Sequence, residues 1–290
     1  MMLLEAGKRA KKMAGGKRRK ALAAARRKAS CTFTEAETRL KRLLGDDFDV
    51  LVETEDLAVI SKPSGVPCFH RKTTTAGKIK KKTKKGKGTK RSASHLIELP
   101  DISLEDALLS CNVLLSTLNP EALGLVHRLD RGSSGCLVLA KNDETHARLV
   151  SEFFLRRTSK TYLTILCNTP KSNLEDEGVI EALVHGRPAK SKYRVLERFP
   201  SSQASLVEFD IFTGRKHQIR VHASSEEGLA SPVLNDEIYG DENERNKSRK
   251  GDPTNRFFLH ASKLSIPSFD IDVEAPIPSW WHETISMLKK

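Results

Sequence analysis

No run in this 290-residue chain approaches the roughly 18 consecutive apolar residues that a membrane helix needs. The first residues also lack the apolar core of a secretory signal. No membrane partner is therefore expected. Cysteine is sparse and unpaired in pattern: Cys31, Cys68, Cys111, Cys136 and Cys167 are odd in number, scattered, and form no C-x-x-C. That argues against a zinc site and against a disulfide framework, and fits a reducing compartment. There is no H-E-x-x-H; His217 and His222 lie five apart with no acid between them, so no metal is expected. There is no G-x-S-x-G elbow either, which weakens Ser133 and Ser134 as hydrolytic nucleophiles. No repeat of 20–50 residues is visible.

Acid is nearly missing from two stretches. Residues 1–30 hold 11 Lys/Arg against Glu5 alone, and residues 71–91 hold 11 Lys/Arg and no acid. The formal net charge of +13 therefore belongs to these segments; the remainder has 28 basic residues against 36 acidic ones. Blocks of like charge with few apolar residues serve as nucleic-acid contacts or as solubilising tails, and composition alone does not choose. The Lys/Arg- and Ala-rich start is compatible with a mitochondrial transit segment, and Lys17-Arg18-Arg19-Lys20 with a nuclear signal. A mitochondrial location and a cytoplasmic or nuclear one both stay open.

What is present reads as an α/β (α+β) body. A short helix is expected over 34–44 with Thr34 as cap, then strands at 49–53 and 57–61 joined by a Thr54-Glu55-Asp56 turn. A helix capped by Ser103 is expected over 104–115, and another from Asn142 or Asp143 to about Arg156, with Ala147, Val150 and Phe154 on one face. Strands follow at 161–166, 179–183, 192–197 and 204–211, spaced for antiparallel pairing. Residues 214–223 read as a helix with Thr213 as cap and Gly228 as stop, with a strand as the alternative. A charged loop is expected at 241–252, a strand at 257–266, and a short helix around Trp280 and Trp281.

The chain is organised around His127-Arg128-Leu129-Asp130-Arg131-Gly132-Ser133-Ser134-Gly135, which feeds the apolar run 137–140. A carboxylate between two arginines, on a Gly-containing turn leading into a buried strand, suits function more than packing. Arg128 and Arg131 would keep Asp130 ionised and ready to act as nucleophile or base. A structural salt bridge is the competing reading, and spacing alone does not exclude it.

These residues resemble the H-R-L-D-x-x-T-S-G signature of the RluA-type RNA pseudouridine synthases, with Ser133 in place of Thr. Four more blocks occur in family order. They are Leu57-Ala58-Val59-Ile60-Ser61-Lys62-Pro63-Ser64-Gly65, Lys160-Thr161-Tyr162, the run from Thr213-Gly214-Arg215 through His217-Gln218-Ile219-Arg220-Val221-His222, and Leu259-His260-Ala261 with Leu264. Together they span roughly 48–282. The strand pattern predicts a central mixed, mainly antiparallel sheet with flanking helices, and the resemblance implies its arrangement around a cleft. It implies Asp130 as the catalytic residue that assists cleavage of the uridine C1′–N1 bond, so that the base can rotate and rejoin through C5. Tyr162 then lies near the target base and Arg220 pairs with Asp130. Arg128, Arg131, Arg215 and His217 are assigned to RNA contact, with Arg128 entering the helix where the nucleotide leaves. No cofactor or metal is implied. The implied partner is structured RNA, rRNA first and tRNA second, with ribosomal precursor particles as a wider setting.

One departure falls in the family's G-H-P-I-x-G-D segment. Here it reads Ser231-Pro232-Val233-Leu234-Asn235-Asp236, with Asn where Gly is usual. The expected organisation is a basic arm with a short helix over 1–44, then a catalytic domain over 45–290 interrupted by the basic insertion 71–95. The alternative reading is an RNA-binding ribosome-assembly factor that keeps the fold without needing its activity.

Overall fold

The computed structural model describes residues 30–70, 102–240 and 256–290. The basic arm before residue 30, the 71–95 insertion and the charged loop expected at 241–252 lie outside the described residues.

Among the described residues, nine strands form one sheet in the order β1-β2-β3-β8-β4-β7-β6-β5, with β9 paired to β8. They are β1 Asp49–Glu53, β2 Leu57–Lys62, β3 Ser134–Ala140, β4 Ser159–Cys167, β5 Glu177–Val184, β6 Arg187–Phe199, β7 Ala204–Ile211, β8 Leu259–Ile266 and β9 Ile271–Glu274. All pairings are antiparallel except β3 with β8, which run parallel at Ser134↔His260 and Gly135↔Ala261. The mixed, mainly antiparallel sheet expected from the strand pattern is therefore what forms; β9 was not anticipated. Gly135 makes the parallel junction feasible: its φ is 105°, and a Cβ there would run into the Ala261 carbonyl. Gly132, in the same turn, is not left-handed.

Five α-helices flank the sheet among the described residues: α1 Phe33–Leu44, α2 Leu104–Ser110, α3 Asp143–Phe154, α4 Gln218–Ser224 and α5 Ser279–Leu288. The cap of α1 is Thr32, not Thr34, in a full capping box with Glu35. Starting there places Phe33, Ala36, Leu40 and Leu44 in one buried stripe, while Thr34 donates from its amide and hydroxyl to Glu53. Ser103 caps α2 as expected, but the helix stops at Ser110 rather than Leu115. Asn112 turns left-handed at φ 63°, and Val113 and Leu115 are buried in non-helical backbone.

Asn142 caps α3, yet the expected apolar face is the wet one. Phe154 is 82% exposed and Val150 43%, while Thr145, His146 and Leu149 face the core. Helix α4 begins later than expected. Its cap is His217, at φ 58° and ψ 25°, and Thr213 lies outside it. Ile219, His222 and Ala223, at i, i+3 and i+4, are buried. Helix α5 closes one end of the sheet: Trp281 is fully buried with Phe258, Ile165, Phe199 and Ala204, apart from the main core.

Candidate active site

The cleft lies where the 127–133 loop, β4, the 213–217 loop and α4 converge. Arg128, Asp130, Tyr162, Arg215, His217 and Gln218 are among its lining residues.

Asp130 sits on a short turn in which the Ser133 amide donates to the Asp130 carbonyl at 3.2 Å. Residues 62–68 brace this turn from behind. Ser64 Oγ donates to the Gly132 carbonyl at 2.6 Å, and the Gly65 amide donates to the Arg131 carbonyl at 2.9 Å. Lys62 Nζ is fully buried and reaches the carbonyls of Pro63, Val66 and Arg131 at 2.7, 2.8 and 3.3 Å. Burial pulls the Lys62 ammonium down to about 8, with Arg131 adding to the shift while Cys68 and Asp130 oppose it. Arg131 donates from Nε to the Gly65 carbonyl at 2.9 Å and does not line the cleft. Arg128 is exposed on the cleft wall, with its guanidinium carbon 5.4 Å from the Phe69 ring centre.

The cation on Asp130 comes from α4. Arg220 Nη1 donates to Asp130 Oδ2 at 3.2 Å. The tighter partner of Arg220 is Asp236, a residue the sequence reading did not single out. Nε and Nη2 of Arg220 form a two-armed pair with its carboxylate at 2.6 and 2.7 Å, and both side chains are almost wholly buried. Oδ1 of Asp236 also accepts the amides of Ile238 and Tyr239 at 3.0 and 3.1 Å. Arg220 is thus fixed by one carboxylate and presents its free arm to another. Rings of Phe257 and Tyr239 lie 4.3 and 5.0 Å from its guanidinium carbon.

Gln218, also not singled out, shapes the loop before α4. Its carbonyl oxygen accepts from the Thr213 hydroxyl at 2.7 Å and the Arg215 amide at 3.1 Å; its amide donates to the Lys190 carbonyl and Ser191 Oγ. All four bonds are made by a nearly buried side chain, which leaves His217 left-handed with its ring toward Asp130. His217 Nε2 is 3.5 Å from Asp130 Oδ1, and Nδ1 is 2.9 Å from the Tyr239 hydroxyl. Burial lowers the His217 imidazole below its ordinary value; Arg220 and Lys216 act in the same direction, and Asp130 and Asp236 partly oppose them. His222, five residues on, faces elsewhere, with Nδ1 3.1 Å from Ser191 Oγ.

Tyr162, in β4 opposite Phe209, is 9% exposed. Burial raises its phenol well above the ordinary value, with the charge of Asp130 adding to the effect, so the ring is a neutral wall at physiological pH. Arg215 donates from Nε to the Pro188 carbonyl at 3.1 Å and forms another wall. A lone carboxylate held by a clamped arginine, beside a neutral tyrosine in a narrow cleft, suits attack on or proton removal from a bound group. Residues 56–225 match the model of the RNA pseudouridylate synthase family.

The chain belongs to that family.

The synthase is 36% identical over 200 residues to an uncharacterised RNA pseudouridine synthase of Zymomonas mobilis, covering 62% of this chain and 86% of the relative. It is 31% identical over 192 residues to ribosomal large subunit pseudouridine synthase C of Vibrio vulnificus, covering 60% and 59%. A match of 38% over 136 residues to the rice RNA pseudouridine synthase 2, chloroplastic, spans 40% of the synthase and 29% of that protein. Among solved structures, human RNA pseudouridylate synthase domain containing 4 superposes with a TM-score of 0.60 at 22% identity, over 89% of the synthase and 98% of that chain, which shows the shared fold. The synthase is an RluA-type isomerase that forms pseudouridine in RNA.

Asp236 and Gln218 had signals in the synthase's sequence. Asp236 begins an Asp-x-x-Tyr-Gly string, and Gln218 sits between two residues already chosen, His217 and Arg220.

Proposed function

We propose that Asp130 is the residue through which this synthase converts uridine to pseudouridine, and that its substrate is ribosomal RNA. The arrangement Asp130–Arg220–Asp236 carries the reading of Asp130. It supplies one partly exposed carboxylate, 19% accessible, whose positive partner is already fixed by a second, fully buried acid. The guanidinium that meets this carboxylate is therefore in place before the substrate arrives.

A uridine in paired RNA presents neither C1′ nor C5 to a side chain, so it must be flipped into the cleft. Unstacking costs a few kcal/mol, which contacts to phosphate offset. Arg128 and Arg215 on the cleft walls are placed for such contacts, and Tyr162 offers its ring to the flipped base. The isomerisation breaks the C1′–N1 bond, turns the uracil, forms C1′–C5, and moves a proton from C5 to solvent while N1 gains one. The ribosomal assignment is supported by relatives named large-subunit synthases, and these names favour a modifying enzyme over an assembly factor that does not need its activity.

The test is chemical mapping of pseudouridines in rRNA and tRNA from cells lacking the chain. Loss of an rRNA position that is restored by the wild-type gene supports the assignment. Loss confined to tRNA overturns the ribosomal part.

A further inference from the structure

Among the described residues, His217 approaches the Asp130 carboxylate oxygen that Arg220 does not hold. The Asp130 carboxylate has two oxygens, and Arg220 serves Oδ2. Oδ1 faces His217 Nε2 at 3.5 Å, a separation that active-site bonds commonly show before substrate tightens them. The opposite edge of the same ring meets the Tyr239 hydroxyl at 2.9 Å. Tyr239 is itself held: its amide donates to Asp236, and its ring lies against the Arg220 guanidinium, edge-on to His217 at 5.6 Å and 81°.

A neutral imidazole carries one hydrogen, and its position follows from what each nitrogen faces. If Nδ1 carries it, the lone pair of Nε2 points at a carboxylate, which is repulsive. If Nε2 carries it, that hydrogen points at Oδ1 and the tyrosine hydroxyl donates to Nδ1. The second arrangement satisfies every group. The cost of a left-handed, non-glycine backbone at His217 is accepted to put the ring there.

We propose that His217 is a positioning residue for Asp130: its Nε2–H, in the tautomer selected by the Tyr239 hydroxyl, holds Oδ1 while Arg220 holds Oδ2, so that the carboxylate meets the substrate in one orientation. This goes beyond the RNA-contact role expected for His217, and it rests on the reading of Asp130 as the catalytic carboxylate.

The experiment measures single-turnover rate and RNA affinity separately for His217→Ala, His217→Gln, Tyr239→Phe and the Tyr239→Phe/His217→Gln pair, with Asp130→Ala as control. His217→Ala should slow the chemical step on the order of tenfold to a hundredfold and leave RNA affinity within about twofold. Gln carries an N–H donor at the Nε2 position, so His217→Gln should recover much of the rate. Gln has no tautomer to select, so Tyr239→Phe should slow the wild type but add little in the Gln background; that non-additivity is the signature. Two results overturn the proposal. One is a His217→Ala enzyme with weakened RNA binding and an unchanged rate. The other is a Tyr239→Phe loss of equal size in both backgrounds. If His217→Ala does not fold, the cycle of Tyr239→Phe and His217→Gln decides alone. An active Asp130→Ala would instead sink the reading of Asp130; an inactive Asp130→Ala with wild-type rates in every His217 variant would sink only the proposal for His217.

Discussion

Replacing Asp236 by Asn removes one charge from the most enclosed ion pair described in the fold. The substitution is nearly isosteric. Asn Oδ1 can still accept Arg220 Nη2 and the amides of Ile238 and Tyr239. The change is confined to the other arm, where an Asn N–H would face the Arg220 Nε–H that now donates to Asp236 Oδ2 at 2.6 Å. The side chain of Arg220 is 4% exposed and that of Asp236 0%, so water does not replace the lost partner. Breaking a buried pair from one side costs about 3–5 kcal/mol, a large share of the roughly 5–15 kcal/mol that holds a typical domain together. Urea unfolding should show the midpoint falling by that equivalent with an unchanged slope. Turnover should fall by at least about tenfold, because the guanidinium that meets Asp130 at 3.2 Å loses its anchor. A loss of stability below about 1 kcal/mol, the range of an exposed pair, would refute the reasoning.

Two further outcomes follow from buried groups. His260 is fully buried, with Nδ1 2.9 Å from Ser134 Oγ and Nε2 3.2 Å from the Ala275 carbonyl, and burial lowers it to about 4. The unfolded chain takes a proton near its ordinary 6.5 and the folded one only near 4, so this contribution is full above 6.5 and is lost as pH falls toward 4. The slope is up to about 1.4 kcal/mol per pH unit, and urea titrations at stepped pH should lose it in His260→Gln. Lys62→Met removes the buried donor of the Pro63 and Val66 carbonyls, while the Arg131 carbonyl keeps the Gly65 amide. It should destabilise by at least about 1–3 kcal/mol and speed hydrogen exchange in residues 129–133; exchange unchanged from wild type would count against the bracing role.

Much of this was legible from pattern. Short strands of alternating or unbroken apolar character marked the sheet, and motif order brought Asp130, Tyr162 and Arg220 together although 90 residues separate the first from the last. Of what was not legible, three cases have a plain physical reason. The apolar residues of α3 lie on two stripes, and periodicity cannot say which meets the sheet; Leu149 does, and Phe154 is left in water. Thr32 and Thr34 each precede a Glu by three residues, and only the burial of Phe33 selects the first as the cap. The motifs offer Arg220 Asp130 alone as partner, because a string of residues does not show that a guanidinium has two faces to satisfy. Arg131 shows the converse: adjacency in sequence placed it beside Asp130, yet its side chain serves the backbone of Gly65.

The most direct measurement is tritium release from RNA labelled at uridine C5, comparing wild type with Asp130→Ala at equal folded concentration. Wild type should release tritium from an rRNA substrate, and Asp130→Ala should release none above background while keeping the wild-type unfolding midpoint. Substantial release by Asp130→Ala, or none by the wild type across rRNA and tRNA pools, would contradict the account.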